Sequence, residues 1–300
     1  MFRLKLVFDG SKLVLQEGSS GEYKVKACGI CGTDIAILKG SYKPRKTPIV
    51  LGHEFCVEKD GKLFVSEINL VDWSCEGCKK GEYTHCENRK AIGIDVDGAL
   101  QDRIDLPSYL LHEVPDGLSA AEAALAEPVA SVLRMLQLLD PKPYESALIL
   151  GDGALGLISC ALLKRFGLDV SVKGKHEQRL KRARLFGARV ESENRKYDIV
   201  VEATGKGALD EALSHTKARG RIAIKSTHGS SVCFDYTKAV VNEVQIVPSR
   251  CAPFYLWDKA LKLVKELRLG ELVTVYPFRN YEEAISNTLE RKIVKPVLVF

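Results

Sequence analysis

Ala147-Leu-Ile-Leu-Gly151-Asp-Gly153-Ala-Leu-Gly156 is a short apolar run that ends in three closely spaced glycines and opens at once into a second apolar segment, Leu157 to Phe166. Four apolar residues stopped by glycine read as a buried strand, and the longer run behind them as a helix. Strand, G-x-G-x-x-G and helix in that order make the glycine motif informative. Its glycines permit a tight turn and a close backbone approach to a pyrophosphate, whose charge then sits at a helix N-terminus. Further strands are expected at Asp169 to Val172, Asp198 to Glu202, Arg221 to Lys225 and Val244 to Val247. This alternation predicts a doubly wound parallel sheet of Rossmann type, with Gly151, Gly153, Ala154, Leu155 and Gly156 against a dinucleotide. The second strand of such a unit ends in an acid when NAD is the cofactor. Here it runs into Lys173-Gly174-Lys175-His176, with no acid before Glu177. Gly174 leaves room and Lys175 offers charge for a 2′-phosphate, so NADP is expected ahead of NAD. An ordinary solvated turn is the other use for Lys173, Lys175 and Arg179.

Working outward toward the N-terminus, short alternating segments (Leu4 to Phe8, Tyr23 to Ala27, Phe55 to Lys59, Leu63 to Glu67) broken by Gly, Asp and Pro predict a β-rich region up to about Pro107. The segment beginning at Met1 reads as a strand and not as a secretory leader. Within this region, Cys28 to Glu54 holds two thiols, an imidazole and carboxylates, donors that suit zinc better than magnesium or calcium. Packed thiols and a surface His-Glu pair are the plain alternative. Cys31 to Leu38 is expected to be a short helix with Thr33 and Asp34 in its first turn. A second cluster, Asp72-Trp-Ser-Cys75-Glu-Gly-Cys78 with Cys86 beyond it, offers four donors that would close a structural tetrahedron. His85, beside Cys86, is not expected among them. From Leu118 to Leu139 an apolar helical pattern is interrupted by Glu127-Pro128, predicting two helices that meet there. Glu127 is either a satisfied acid or a metal-site residue.

The chain has 300 residues, more than one core usually holds, so two domains are expected. A hydrophobic fraction of 46%, a charged fraction of 28% and a net charge of +5 describe a globular protein with no nucleic-acid or membrane signature. Nine cysteines, an odd number, favour metal thiolates in a reducing compartment, the cytoplasm, over a disulfide framework. Scarce Asn and Gln beside plentiful Lys, Arg and Glu point to a thermophilic source. Amphipathic helices are expected at Pro253 to Leu269 and Tyr281 to Arg291. The last apolar strand, Val294 to Phe300, is expected to return to the first domain.

With these residues in view, the chain resembles the zinc-containing medium-chain dehydrogenases, the family of alcohol, polyol, threonine and glucose dehydrogenases. The likeness is carried by Cys31-Gly-Thr-Asp34, Gly52-His-Glu54, the Asp72 to Cys86 lobe, Asp97-Gly98-Ala99, Glu127-Pro128, Gly151 to Gly156, Glu202-Ala-Thr-Gly205 and Ser249-Arg-Cys251. It implies a GroES-like catalytic domain over residues 1–130, a Rossmann domain over 131–252 and a return to the catalytic domain over 253–300. Cys31, His53 and Glu127 are implied as catalytic zinc ligands with Glu54 beside them, and Asp72, Cys75, Cys78 and Cys86 as a structural site. Thr33 is implied as the proton exchanger, Asp34 as the carboxylate that orients His53, and Thr204 as a cofactor contact. The implied reaction moves a hydride between NAD(P) and a small alcohol, polyol or sugar hydroxyl, in a homodimer or homotetramer. The chain departs from the family pattern at Ala36, where a relay histidine is common, and at Asp72, where Cys is usual. It is also shorter around Asp60 to Leu70. A zinc-free quinone-reductase-like enzyme and a cofactor- or zinc-binding protein without turnover are the competing readings.

Overall fold

Burial on both faces decides the character of the second half of the chain. Ala147, Leu148, Ile149 and Leu150 are each 1% exposed or less, which is what a central parallel strand covered by helices requires. In the computed structural model six parallel strands lie in the order 189–190, 169–173, 146–150, 197–202, 216–224, 245–248. Numbered along the chain, that is the 3-2-1-4-5-6 order of a Rossmann sheet. The helix Ala154–Arg165 follows the glycine loop and is buried at every position from Gly156 to Leu163. A helix this apolar all round has no solvent face. Its one polar core residue, Ser159, donates its hydroxyl to Leu155 O at 2.7 Å and so leaves nothing unsatisfied.

The structure describes residues 3–300 other than 19, 227, 228 and 230, so Met1 and Phe2 of the N-terminal segment lie outside the described residues. The chain divides into two compact units, Met1–Ala130 with Cys251–Phe300, and Ser131–Arg250. The first unit is β-rich. Strands 111–113, 62–66, 54–59, 23–29, 295–299 and 273–277 form one sheet in that order, with 103–104 pairing against 23–29. A smaller sheet joins 13–17, 4–8 and 49–50. Between them sit Leu6, Val25, Ile37, Leu51, Phe55, Val57 and Leu100, all 2% exposed or less. Each such side chain contributes about 1.5–3 kcal/mol by leaving water.

The last strand, Lys295–Val299, runs antiparallel to Tyr23–Gly29, with Val297 opposite Gly29. The C-terminus therefore returns to the first sheet, beside the cysteine-rich stretch. The helical run around Glu127 is broken as the proline demands. One turn, Ala120–Ala123, is capped by Ser119 and Glu122, and a second helix, Ala126–Leu139, carries Glu127 and Pro128 in its first turn, where a missing N–H costs nothing.

Candidate active site and nucleotide site

Cys31 stands just before the helix Gly32–Leu38, as its N-cap. The Asp34 carboxylate in the first turn turns back to accept the Cys31 N–H at 2.8 Å, satisfying one of the donors a helix start leaves bare. The same carboxylate, 1% exposed, lies 3.5 Å from Nδ1 of His53 through its other oxygen. One short helix thus sets the thiol and orients the imidazole. Gly52 makes the approach of His53 possible. Its φ is +94°, and a Cβ there would stand 2.6 Å from Cys28 Sγ and 3.0 Å from the Leu100 nitrogen. Cys28 itself is fully buried in the core, a packed thiol under this turn.

Glu54, paired with Gly29 across the sheet, begins the next strand. The missing side chain of Gly29 makes room for it, since a Cβ would lie 2.8 Å from Glu54 Oε2. That oxygen is ion-paired with Lys295 from the last strand, both side chains being no more than 4% exposed. Burial would depress the Lys295 pKa, but Glu54 and the Cys31 thiol outweigh it and raise it. Donor atoms of Cys31, His53 and Glu54 all lie within 4.8 Å of one another. Sulfur, imidazole nitrogen and carboxylate oxygen at that spacing form the mixed set that suits zinc. Burial would also lower the His53 pKa, yet Asp34 and Cys31 hold it well above the ordinary value. Thr33 Oγ1 is 3.8 Å from Cys31 Sγ and half-buried.

Glu127 does not join this group. Its carboxylate, half-buried in the first turn of Ala126–Leu139, does not meet the 4.8 Å spacing with all three donors. Glu54 supplies the carboxylate of the group whose donors all lie within 4.8 Å of one another.

The second cluster converges as four donors, Asp72, Cys75, Cys78 and Cys86, again within 4.8 Å. Asp72 Oδ1 accepts from the Ser74 and Cys75 N–H groups at 3.0 and 3.3 Å and lies 3.4 Å from Cys86 Sγ. Asn88 donates to its other oxygen at 2.6 Å. Asn88 and the Ser74 N–H hold the carboxyl well below its usual range. Cys75 caps the turn Glu76–Lys79, and N–H groups of Cys78 and Glu87 lower its pKa, whereas burial and the neighbouring thiols raise that of Cys78. His85 stands outside the group. The lobe is tied down through buried Glu67, which accepts from the Tyr83 hydroxyl at 2.6 Å and faces His112 Nε2 at 3.2 Å.

In the other unit, Gly151 has φ +113° and a Cβ there would stand 2.6 Å from Ala203 O. Gly156 packs its Cα against Gly151 O, but a Cβ at Gly153 would meet nothing within 4 Å. The first and third glycines serve chain packing, and the second leaves the helix start open to a ligand. Thr204 donates both its N–H and its hydroxyl to Glu202 Oε1, the N–H at 3.0 Å, which fixes the Ala203 to Gly205 loop opposite. Lys173 pairs with Glu211 at 2.8 Å, whereas Lys175 is exposed and has no ion pair among the described residues. Two residues escape a motif-based reading. Lys295 is a lone cation in an apolar strand, which is its only sequence signal. Asp152, an unspecified position of the glycine motif, turns out buried at 6% exposure and accepts from the Lys175 and His176 N–H groups, each at 2.8 Å. Burial would raise its pKa, but those N–H groups and the His176 ring hold it below the ordinary value.

A β-rich unit with a Cys-His-Glu cluster and a Rossmann unit with an open glycine loop are the two parts of an α/β oxidoreductase fold. Residues 22–116 match the alcohol dehydrogenase GroES-like domain. Beyond that domain the chain is similar to alcohol and polyol dehydrogenases of the medium-chain dehydrogenase/reductase family over most of its length. It is 29% identical to D-arabitol-phosphate dehydrogenase of Enterococcus avium, over 92% of this chain and 88% of that one. It is 25% identical to sorbitol dehydrogenase of Halalkalibacterium halodurans, over 92% and 90%. Among solved structures, acetophenone reductase of Geotrichum candidum in complex with NAD superposes with a TM-score of 0.90 at 26% identity, covering 100% of this chain and 97% of that one.

Proposed function

We propose that this protein is a zinc-dependent dehydrogenase that moves a hydride between the carbinol carbon of a small alcohol, polyol or sugar and NADP, with NAD as the weaker cofactor. The observation that carries the reading is the convergence of Cys31, His53 and Glu54 donors within 4.8 Å. These three residues would hold the catalytic metal, and Asp72, Cys75, Cys78 and Cys86 a structural one. Bound zinc supplies a Lewis acid that polarises the substrate oxygen.

The chain's own groups do the rest. With Nδ1 of His53 beside Asp34, Nε2 is the nitrogen left for the metal, and the carboxylate fixes the ring that carries it. Lys295 holds Glu54 in place through the ion pair. The Thr33 hydroxyl, 3.8 Å from Cys31 Sγ, accepts the substrate proton and passes it to water, because Ala36 has no side chain that relays it. Gly151, Gly153, Ala154, Leu155 and Gly156 seat the pyrophosphate, the loop at Thr204 borders it, and Gly174 with Lys175 takes the adenosine ribose and its phosphate. Residues 1–130 with 253–300 act as the catalytic domain and 131–252 as the nucleotide domain.

The edge strand Gln245–Pro248 has no partner on its outer side among the described strands, and Tyr236, Val240 and Val241 beside it are exposed. An open apolar edge of this kind supports pairing across a two-fold axis into a homodimer or a tetramer. The nine cysteines, all free thiols, suit a cytoplasmic protein. No helix among the described residues is long and apolar enough to cross a membrane.

The test is a panel of alcohols, polyols and aldoses offered with NADP and NAD to zinc-loaded protein, beside the variant Cys31→Ala. Turnover that Cys31→Ala abolishes is expected. Full activity in that variant, or none in the wild type with any substrate, overturns the reading.

A further inference from the structure

A Rossmann unit selects NAD with an acid at the end of its second strand, about 20 residues beyond the glycine motif. In this chain the strand Asp169–Lys173 ends and Gly174 follows. The space beside Gly174 is nevertheless not open. A Cβ built on it would stand 2.6 Å from both Cβ and Oδ2 of Asp152. A carboxylate sent across from the glycine loop fills the volume that a side chain at 174 would need.

The oxygens of that carboxylate face inward. Oδ2 accepts the N–H groups of Lys175 and His176, both at 2.8 Å. The Nδ1 atom of His176 lies 3.1 and 3.0 Å from Oδ1 and Oδ2, and the Arg179 guanidinium 3.8 Å from Oδ1. A carboxylate with this many donors around it, in a residue 6% exposed, has its acceptor capacity taken up by the turn and not by ribose hydroxyls. What the turn offers outward is Lys175, because Lys173 is engaged with Glu211 and His215.

We infer that Asp152 and Gly174 form one specificity unit: Asp152 is a positioning residue that locks the Gly174 to His176 turn with Lys175 outward, and by occupying the volume beside Gly174 it excludes the acid that would bind an unphosphorylated ribose. The inference rests on the dinucleotide reading above, and binding measurements test it without reliance on turnover.

Dissociation constants for NADPH and NADH, from fluorescence titration, would be compared in wild type, Asp152→Ala, Asp152→Asn, Gly174→Asp and the double variant Asp152→Ala/Gly174→Asp, with thermal unfolding recorded for each. Loss of the lock in Asp152→Ala should reduce the NADPH-to-NADH preference by about fivefold or more, whereas Asp152→Asn, whose amide oxygen still accepts from the turn, should stay within about twofold. Gly174→Asp should bind both cofactors poorly or fail to fold. Adding Asp152→Ala to it should restore folding and binding and turn the preference to NADH, a coupling of at least about tenfold between the two sites. Additive effects in the double variant, or an unchanged preference in Asp152→Ala, overturn the inference. A wild type that prefers NADH, with the double variant still rescuing Gly174→Asp, removes the NADP reading and leaves the mutual exclusion of the two positions standing.

Discussion

Replacing Lys295 by methionine tests the buried core of the proposed metal site. The ammonium and the Glu54 carboxylate it pairs with are both no more than 4% exposed, so the substitution strands a carboxylate in the interior. Removing one partner of a buried pair costs about 3–5 kcal/mol, much of it the desolvation of the charge left behind. For a chain of this size that corresponds to roughly 6–20 °C in unfolding temperature. The assay is thermal or urea unfolding of metal-free protein near neutral pH. The Lys295 pKa is raised above its ordinary 10.5. Its contribution is therefore fully present below the unfolded value and lost only as pH rises through the folded one, so the deficit should be flat from about pH 6 to 9. Zinc loading should shrink it, because a cation beside Glu54 replaces the missing ammonium. The double variant Glu54→Gln/Lys295→Met should recover most of the loss, since exchanging both members for neutral groups leaves no stranded charge. A single variant within about 1 kcal/mol of wild type would refute the burial argument, and a deficit unaffected by zinc would detach Glu54 from the metal.

In the cysteine lobe, Asp72→Cys completes four thiolates and should slow zinc release to a chromogenic chelator, whereas Asp72→Ala should speed it and lower bound zinc from about two per chain toward one; equal release rates in all three would exclude Asp72 as a ligand. Asp198 accepts from the Ser146 N–H and hydroxyl at 2.9 and 2.6 Å. Burial alone would raise its pKa, but the Ser146 bonds and Lys217 outweigh it and push it down to about 2. The folded value lies below the unfolded one, so its contribution is complete above about pH 4 and lost as pH falls toward the folded value. With the carboxylate a third exposed, about 1 kcal/mol remains after solvent screening. Asp198→Asn should remove that part of the acid-unfolding curve, and an unaltered curve would show that Asp198 carries no stability.

What was legible in the sequence is what depends on neighbours along the chain. Strand, glycine loop and helix at Ala147 to Phe166 specify themselves through local periodicity and turn chemistry, and Pro128 breaks its helix wherever the helix sits. The Cys-x-x-Cys knuckle is equally local, and Asp72 lies close enough to close it. Cys31 and His53 were readable as a motif, but what brings them together is the register of Tyr23–Gly29 against Glu54–Lys59, which no window of sequence contains. The same register, extended to Lys295–Val299, delivers Lys295 to Glu54 from the far end of the chain. It also explains how Glu54 comes to stand against the thiol and imidazole: Glu54 follows His53 on a strand whose pairing leaves a glycine opposite. Asp152 was hidden for a different reason. A motif written G-x-G-x-x-G declares its x positions silent, yet the geometry that lets the glycines crowd the backbone also throws the side chain between them across the sheet edge. Gly174 and Asp152 are therefore a single steric choice made at two places in the chain, and reading either one alone gives half of it.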